Sequence, residues 1–230
     1  MLLTATAVQA QISIGGSIYG GGNAGNTGGC TKVTVYQGDL HAVFAGARMA
    51  NVGGSTFVHL DGEHASDYIL VDYVYGGNDI AGTIGTSTTL PVDDNNQPIL
   101  TKTTENNIGT DWNAFVRISS KMTPAVYYTQ EEIDAAQEDD DAYGKTTADI
   151  KTPATIDPNN KPIYIGQLFG GGNGYYDYES KTTGKGTIVK DKVTHAEVAS
   201  STNILSVPEL SKTYLEILGG SIVYAYAGRD

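Results

Sequence analysis

The sequence predicts an all-β fold: a right-handed parallel β-helix (β-solenoid) carrying an acidic, partly helical insertion. Three observations lead there. Glycine occurs 29 times in 230 residues and only 17% of residues are charged, against averages of roughly 7% glycine and about 25% charged residues in ordinary globular proteins. A short motif, an aromatic running into glycines and often an asparagine, recurs five times. Between copies lie period-two runs rich in Val, Ile, Thr and Tyr, the residue types that suit a pleated surface.

The chain opens on MLLTATAVQA, apolar and small, with Val8-Gln9-Ala10 before Gln11 matching the small-x-small cleavage pattern of an export signal. A charged segment ahead of it is missing. Residues 1–10 are therefore read as the back half of a truncated signal peptide, and 11–230 as the solenoid domain, continuing beyond the C-terminus as part of a longer chain. No stretch approaches the roughly 18 apolar residues that a membrane helix needs.

The first copy of the motif is Ile18-Tyr19-Gly20-Gly21-Gly22-Asn23, followed by Val43-Phe44-Ala45-Gly46-Ala47 and Val74-Tyr75-Gly76-Gly77-Asn78. Leu168-Phe169-Gly170-Gly171-Gly172-Asn173 and Val223-Tyr224-Ala225-Tyr226-Ala227-Gly228 complete the series. The outermost copies share a lead-in, Ile14-Gly15-Gly16-Ser17-Ile18 against Leu218-Gly219-Gly220-Ser221-Ile222. Taking positions 19, 44, 75, 169 and 224 as equivalent gives spacings of 25, 31, 94 and 55 residues: single coils first, then gaps holding several coils or insertions. In this reading each strand delivers its aromatic inward, the glycines turn the backbone through positive φ, and like side chains stack from coil to coil. Gly20, Gly21, Gly22, Gly76, Gly77, Gly170, Gly171 and Gly172 are the structural turn residues. Asn23, Asn78 and Asn173 are expected to take left-handed geometry there and to bond the backbone of the neighbouring turn.

The rungs follow in order. Lys32-Val33-Thr34-Val35-Tyr36 alternates cleanly, Thr56 to Leu60 ends at Asp61-Gly62, and Tyr68 to Tyr75 runs into the third glycine turn. Asn113 to Ser119 and Pro162 to Gly166 read as further rungs. Residues 120–160 break the pattern: Thr129-Gln130-Glu131-Glu132 has the form of a capping box opening a short helix through Ala136. Residues 131–141 hold Glu131, Glu132, Asp134, Glu138, Asp139, Asp140 and Asp141 with no basic residue, an acidic insertion projecting from the rod. Asp93 to Asn96 and Asp157 to Asn160 read as turns.

The segments IYGGGNAG, VFAGARMANVGG, VYGGNDIAGTIG and LFGGGNGYY together resemble the large, glycine-rich, adhesin-like secreted surface proteins of Bacteroidetes-type bacteria. The resemblance implies a parallel β-helix or pectin-lyase-like solenoid at the cell surface or beyond it, and no established chemistry.

Composition narrows the functions. A net charge of -12 and a pI near 4.6 argue against nucleic acid and anionic membranes, whose affinity comes from Lys and Arg. The lone Cys30 forms no intrachain disulfide and no cysteine metal cluster. His41, His59, His64 and His195 lack a two-histidine helical spacing, and the glycine runs lack the Lys-Ser/Thr pair of a phosphate loop. No cofactor or metal is implied. The one cluster with binding character is Tyr175, Tyr176 and Tyr178, because tyrosine offers a flat apolar face and a hydroxyl at low entropic cost; its ligand would be a glycan or host surface material, and its bland alternative is rings covering the rod's flank. The expected function is a non-enzymatic adhesin-like or structural solenoid. The enzymatic alternative is a Ca²⁺-dependent polysaccharide lyase or hydrolase, for which Asp61, Glu63, Asp67 and Asp72 must converge beside Arg48. A plain spacer is the third.

Overall fold

Two parallel sheets, each growing by one strand per pass of the chain, enclose an aliphatic core. The computed structural model of the chain describes residues 12–86, 113–123, 125–153, 155–157, 162–180, 186–201 and 207–228. The signal-peptide reading of 1–10, the turn at Asp93 to Asn96 and most of that at Asp157 to Asn160 lie outside the described residues.

In chain order the strands are β1 (Ser13–Tyr19), β2 (Thr31–Val35), β3 (Gly38–Phe44), β4 (Thr56–Asp61), β5 (Ile69–Tyr75) and β6 (Ala114–Ser119). The short strands β7 (Met122–Thr123), β8 (Val126–Tyr127), β9 (Ile150–Thr152) and β10 (Thr155–Ile156) flank the single described helix, α1 (Gln130–Ala135). Then come β11 (Ile163–Phe169), β12 (Tyr176–Ser180), β13 (Thr187–Asp191), β14 (Glu197–Ser201), β15 (Thr213–Leu218) and β16 (Ser221–Tyr226). The first sheet runs β1-β3-β5-β11-β16 and the second β2-β4-β6-β15, with parallel pairing throughout both. Each rung is thus laid beside the previous one. All five expected rung strands are present, with ends shifted by up to three residues.

The core lies between the sheets. Leu40, Val43, Val71, Val74, Ile165 and Leu168 from the first meet Val35, Val58, Leu60, Val116 and Ile118 from the second in one buried cluster. Each such side chain removed from water contributes about 1.5 to 3 kcal/mol. Thr31, Thr56 and Thr213 occupy equivalent positions at the starts of their strands. Each donates its hydroxyl to a carbonyl at the end of a first-sheet rung: Ala45 at 2.5 Å, Gly76, and Ala227 at 2.6 Å. The threonines tie one sheet to the other at the corner.

The corners themselves stack. Amides of Gly20, Ala45, Gly76 and Gly170 donate to the carbonyls of Phe44, Tyr75, Phe169 and Tyr226 at 2.8 to 3.0 Å, and Gly21, Gly46, Gly77 and Gly171 repeat the pattern one residue later. This continuous ladder corrects the expected role of the glycines. Positive φ among the described glycines falls at Gly38, Gly82, Gly144, Gly186, Gly219 and Gly220, not at the repeat glycines. What the repeat requires is the absence of a side chain: a Cβ on Gly77 would stand 2.7 Å from the Gly172 nitrogen, one on Gly172 2.6 Å from the Asn78 carbonyl, and one on Gly170 2.5 Å from the Ala227 carbonyl. At these three positions adjacent turns approach too closely for a Cβ, whereas the corner place equivalent to Gly76 and Gly170 in the rung of Phe44 is held by Ala45. Nor do the asparagines take left-handed geometry, since His195 is the one described non-glycine residue with positive φ. Asn78, fully buried, does bond the neighbouring turn, accepting from the Ala47 amide at 2.7 Å and donating to the Ala50 carbonyl at 3.1 Å.

Three further expectations change. The rung aromatic after Phe169 is Tyr226, not Tyr224, because the ladder pairs Phe169 with Tyr226 and Gln167 with Tyr224. Ile222 therefore shares the layer of Ile14, through Ile165, Val71 and Leu40, and not that of Ile18, with which the shared lead-in aligns it. Among the described residues the 94-residue gap holds one second-sheet rung, β6, rather than several coils. Within it β8 pairs with β9 and β7 with β10, both antiparallel, so residues 122–156 pair with themselves. Helix α1 has its capping box, with the Thr129 hydroxyl accepting from the Glu132 amide at 3.2 Å and the Glu132 carboxylate accepting from the Thr129 amide at 3.0 Å. Finally, the aromatics point away from the aliphatic core. Phe44 lies between Val43 and Ala45, both in the core, and neighbours in a strand face opposite ways.

Candidate binding groove

The outer face of the first sheet carries two rows of side chains. One is the aromatic ladder Tyr19, Phe44, Tyr75, Phe169, Tyr226, with ring centroids 5.1, 4.6, 5.0 and 5.2 Å apart and interplanar angles of 14° or less. Parallel, in-register pairing sets that spacing, and each stacked pair adds about 0.5 to 1.5 kcal/mol to its area burial. The second row, two residues earlier, reads Ser17, Ala42, Tyr73, Gln167, Tyr224.

A change of face within each strand creates both rows. Leu40 and Val43, Val71 and Val74, and Ile165 and Leu168 all face the core, three apart where strict alternation allows only even spacings. The flip falls at His41, Asp72 and Gly166, and β1 makes it as a bulge between Ile14 and Ser17. At this bend the imidazole Nδ1 of His41 lies 3.0 Å from an Asp72 carboxylate oxygen, and the ring meets Tyr73 edge-on at 5.6 Å.

The antiparallel sheet β12-β13-β14 rises beside these rows and leaves a groove of about 540 Å³. Its floor includes Ala42, Phe44, Tyr73, Tyr75 and Gln167; Tyr175, Tyr176, Asp191 and Val193 stand along its flank. Asp79 anchors flank to floor. It is 4% exposed, and it accepts from the Tyr19 hydroxyl at 2.7 Å, the Tyr176 hydroxyl at 2.9 Å and the Asn173 amide at 2.9 Å. Burial, then the adjacent Asp79 charge, pushes the Tyr19 hydroxyl up to about 12, and the same causes raise Tyr176 further. Both phenols stay protonated and donating across the physiological range. Arg48 braces the same junction, donating to the Asn23 side chain at 3.2 Å and the Val198 carbonyl at 3.3 Å.

The tyrosines singled out in the sequence divide into two kinds. Tyr176 and Tyr178 alternate with exposed residues along β12 and pack against Ile80, Ala81, Val189 and Ala199; their hydroxyls bond Asp79 and the Ile80 carbonyl. Tyr175 is 40% exposed on the groove wall. The Lys192 ammonium stands 5.5 Å from its ring centroid and donates to the Gly174 carbonyl at 3.0 Å. Sequence reasoning missed Tyr73, Gln167, His41 and Asp79. A signal existed for two of them: Tyr73 precedes the ladder residue Tyr75 by one strand period, and Asp79 follows the glycine turn directly.

The residues of the lyase alternative occupy separate places. Asp61 lies on β4 in the second sheet, 2.8 Å from the His64 ring and accepting from the Glu63 and His64 amides. Asp67 accepts from the Tyr68 amide, Asp72 on β5 pairs with His41 on β3, and Arg48 is engaged in the corner. Among the described residues no group of three or more His, Cys, Asp or Glu side chains is placed to hold a metal ion, and no described helix is long and apolar enough to cross a membrane. Comparison of the chain with protein-family models, with curated proteins and with solved structures gives no match.

Proposed function

We propose that this chain is a non-enzymatic segment of an extracellular or cell-surface, adhesin-like protein: a right-handed parallel β-solenoid, carrying the helical acidic segment as an insertion, whose groove binds glycans. The observation that carries this reading is the groove itself, where an exposed tyrosine ring, Tyr175, shares the lining with Tyr73, Gln167 and the ladder residues Phe44 and Tyr75. Apolar area with a few placed polar groups is the usual make-up of a small-ligand site. The resemblance to secreted glycine-rich surface proteins and the apolar N-terminal decapeptide support export.

A glycan array probed with the purified protein tests the reading. Binding to a defined set of glycans is expected, lost on Tyr175→Ala while the melting temperature stays unchanged. An array blank at high protein concentration, with the fold verified by circular dichroism, refutes it.

A further inference from the structure

The charge and hydrogen-bonding state of the groove specify what kind of glycan it takes, an inference that rests on the glycan-binding reading. We infer that the ligand is an uncharged hexose-type glycan held by the Tyr73 hydroxyl and the Gln167 amide, with Tyr175 packing on one sugar face.

Ring geometry comes first. In the aromatic ladder each inner ring has both faces covered by the rings of adjacent rungs, so Phe44, Tyr75 and Phe169 offer the groove only their edges. A sugar ring stacks on a face. Tyr175 lies outside the ladder, and its exposed ring supplies one at the wall.

The polar groups come next. Gln167 and Tyr73 face each other across adjacent rungs, both half-buried on the groove floor. Neither the phenol of Tyr73 nor the amide of Gln167 is hydrogen-bonded to another described residue. Together they present a hydroxyl that both donates and accepts, a carbonyl acceptor and two amide donors. That mixture suits the hydroxyls of a sugar, each of which does both.

Charge decides between classes of ligand. Carboxylates of Asp79 and Asp191 line the groove and Asp72 lies beside it, paired with His41; of the cations close by, Lys192 is committed to Gly174 and the Tyr175 ring, and Arg48 to Asn23 and the Val198 carbonyl. Uronic acids, sialic acids and sulfated sugars meet no Lys or Arg among the groove's described lining residues. The same carboxylates are not free to hold a cation. Asp79 accepts three bonds, Asp191 accepts from the Val193 and Thr194 amides at 2.9 and 2.7 Å, and Asp72 faces His41 at 3.0 Å. A site whose described lining offers anions no Lys or Arg, and whose acids are already satisfied, selects neutral ligands.

The test uses the intact chain, isothermal titration calorimetry and three probes: the best neutral oligosaccharide from the array, oligogalacturonate and oligolysine. The neutral sugar is expected to bind with an affinity that changes less than twofold between low and high salt. Tyr73→Phe and Gln167→Ala should each weaken it about tenfold, a loss of one hydrogen bond worth about 1.4 kcal/mol. Tyr73→Phe keeps the ring and its packing, so a change in affinity at unchanged melting temperature separates recognition from folding. Tighter binding of oligogalacturonate or of oligolysine overturns the inference, and the former leaves the glycan reading standing. Neutral binding indifferent to both substitutions but lost in Tyr175→Ala overturns the assigned floor contacts alone. No binding of any sugar removes both.

Discussion

Replacing Gly77 by alanine separates two explanations of the glycine repeat. Gly77 sits in the middle of the corner ladder, donating to the Gly171 carbonyl at 2.9 Å and accepting from the Gly46 amide at 3.1 Å. An added Cβ would stand 2.7 Å from the Gly172 nitrogen, 2.9 Å from its Cα and 2.9 Å from Leu210 Cδ2, and two of those three atoms are backbone that cannot swing aside. The rungs must part by several tenths of an ångström. That weakens two buried hydrogen bonds, each costing about 1 to 3 kcal/mol when left unmade, and adds about 1 to 3 kcal/mol of overpacking strain. Against this, losing glycine's freedom in the unfolded chain returns about 0.4 to 1 kcal/mol. The net expectation is a loss of about 3 to 5 kcal/mol. Had the glycine been needed only for a left-handed backbone, the cost would be about 1 to 2 kcal/mol. Gly25 is the control, since a Cβ there meets nothing within 4 Å and its φ is unremarkable; Gly25→Ala should stay within about 0.5 kcal/mol of the parent. Urea unfolding followed by circular dichroism measures all three. A Gly77→Ala chain within about 1 kcal/mol of Gly25→Ala would refute the close-approach argument.

Other substitutions probe the rest of the rod. Phe44→Ala removes a ring stacked on both faces and 3% exposed; a loss of about 3 to 5 kcal/mol and a collapse of the near-ultraviolet dichroism are expected, and retention of that signal would count against the ladder. Asp79→Ala strands three donors, so about 3 kcal/mol should be lost. Spectroscopic titration should then show Tyr19 ionising below its native value of about 12, only part of the way toward 10, because burial is the larger cause and remains. His59, with its ring 2.8 Å from the Ser119 hydroxyl, is lowered to about 4 by burial, with Arg117, Lys32 and His64 adding to the effect and Asp61 opposing it. The native state therefore binds fewer protons than the unfolded one. Stability is complete above pH 6.5 and falls as pH drops toward 4, by about 3 kcal/mol in all. His59→Gln should flatten that part of a stability-against-pH curve measured by denaturant titration; an unchanged slope would show that other groups carry it.

The mostly β fold, the rung strands and the stacking of Tyr19, Phe44 and Tyr75 were legible in the sequence, because side chains that must repeat in space at every pass leave a repeat in the chain. The capping box at Thr129 and Glu132 was legible for a similar reason: its partners are three residues apart. Less could be read where the decisive distance runs between rungs. Whether a glycine serves a backbone angle or an empty volume depends on the turn above it, and Gly77 shows the second with nothing in its own neighbourhood to say so. The assignment of the last aromatic to Tyr226 over Tyr224 depended on the ladder register with β11, which a motif match two residues off cannot resolve.

The groove was the least legible part. Tyr175 announced itself as one of a cluster, but its floor joins Tyr73 to Gln167, 94 positions further along the chain, and its anchor Asp79 meets Tyr19 from sixty residues earlier and Tyr176 from nearly a hundred later. By itself the sequence determined that this chain builds itself from repeated glycine-cornered strands, since local pattern and composition suffice for that. Only the tertiary structure decided which faces turn outward and which distant side chains share a site, because a one-residue bend at His41, Asp72 and Gly166 reverses every side chain that follows it.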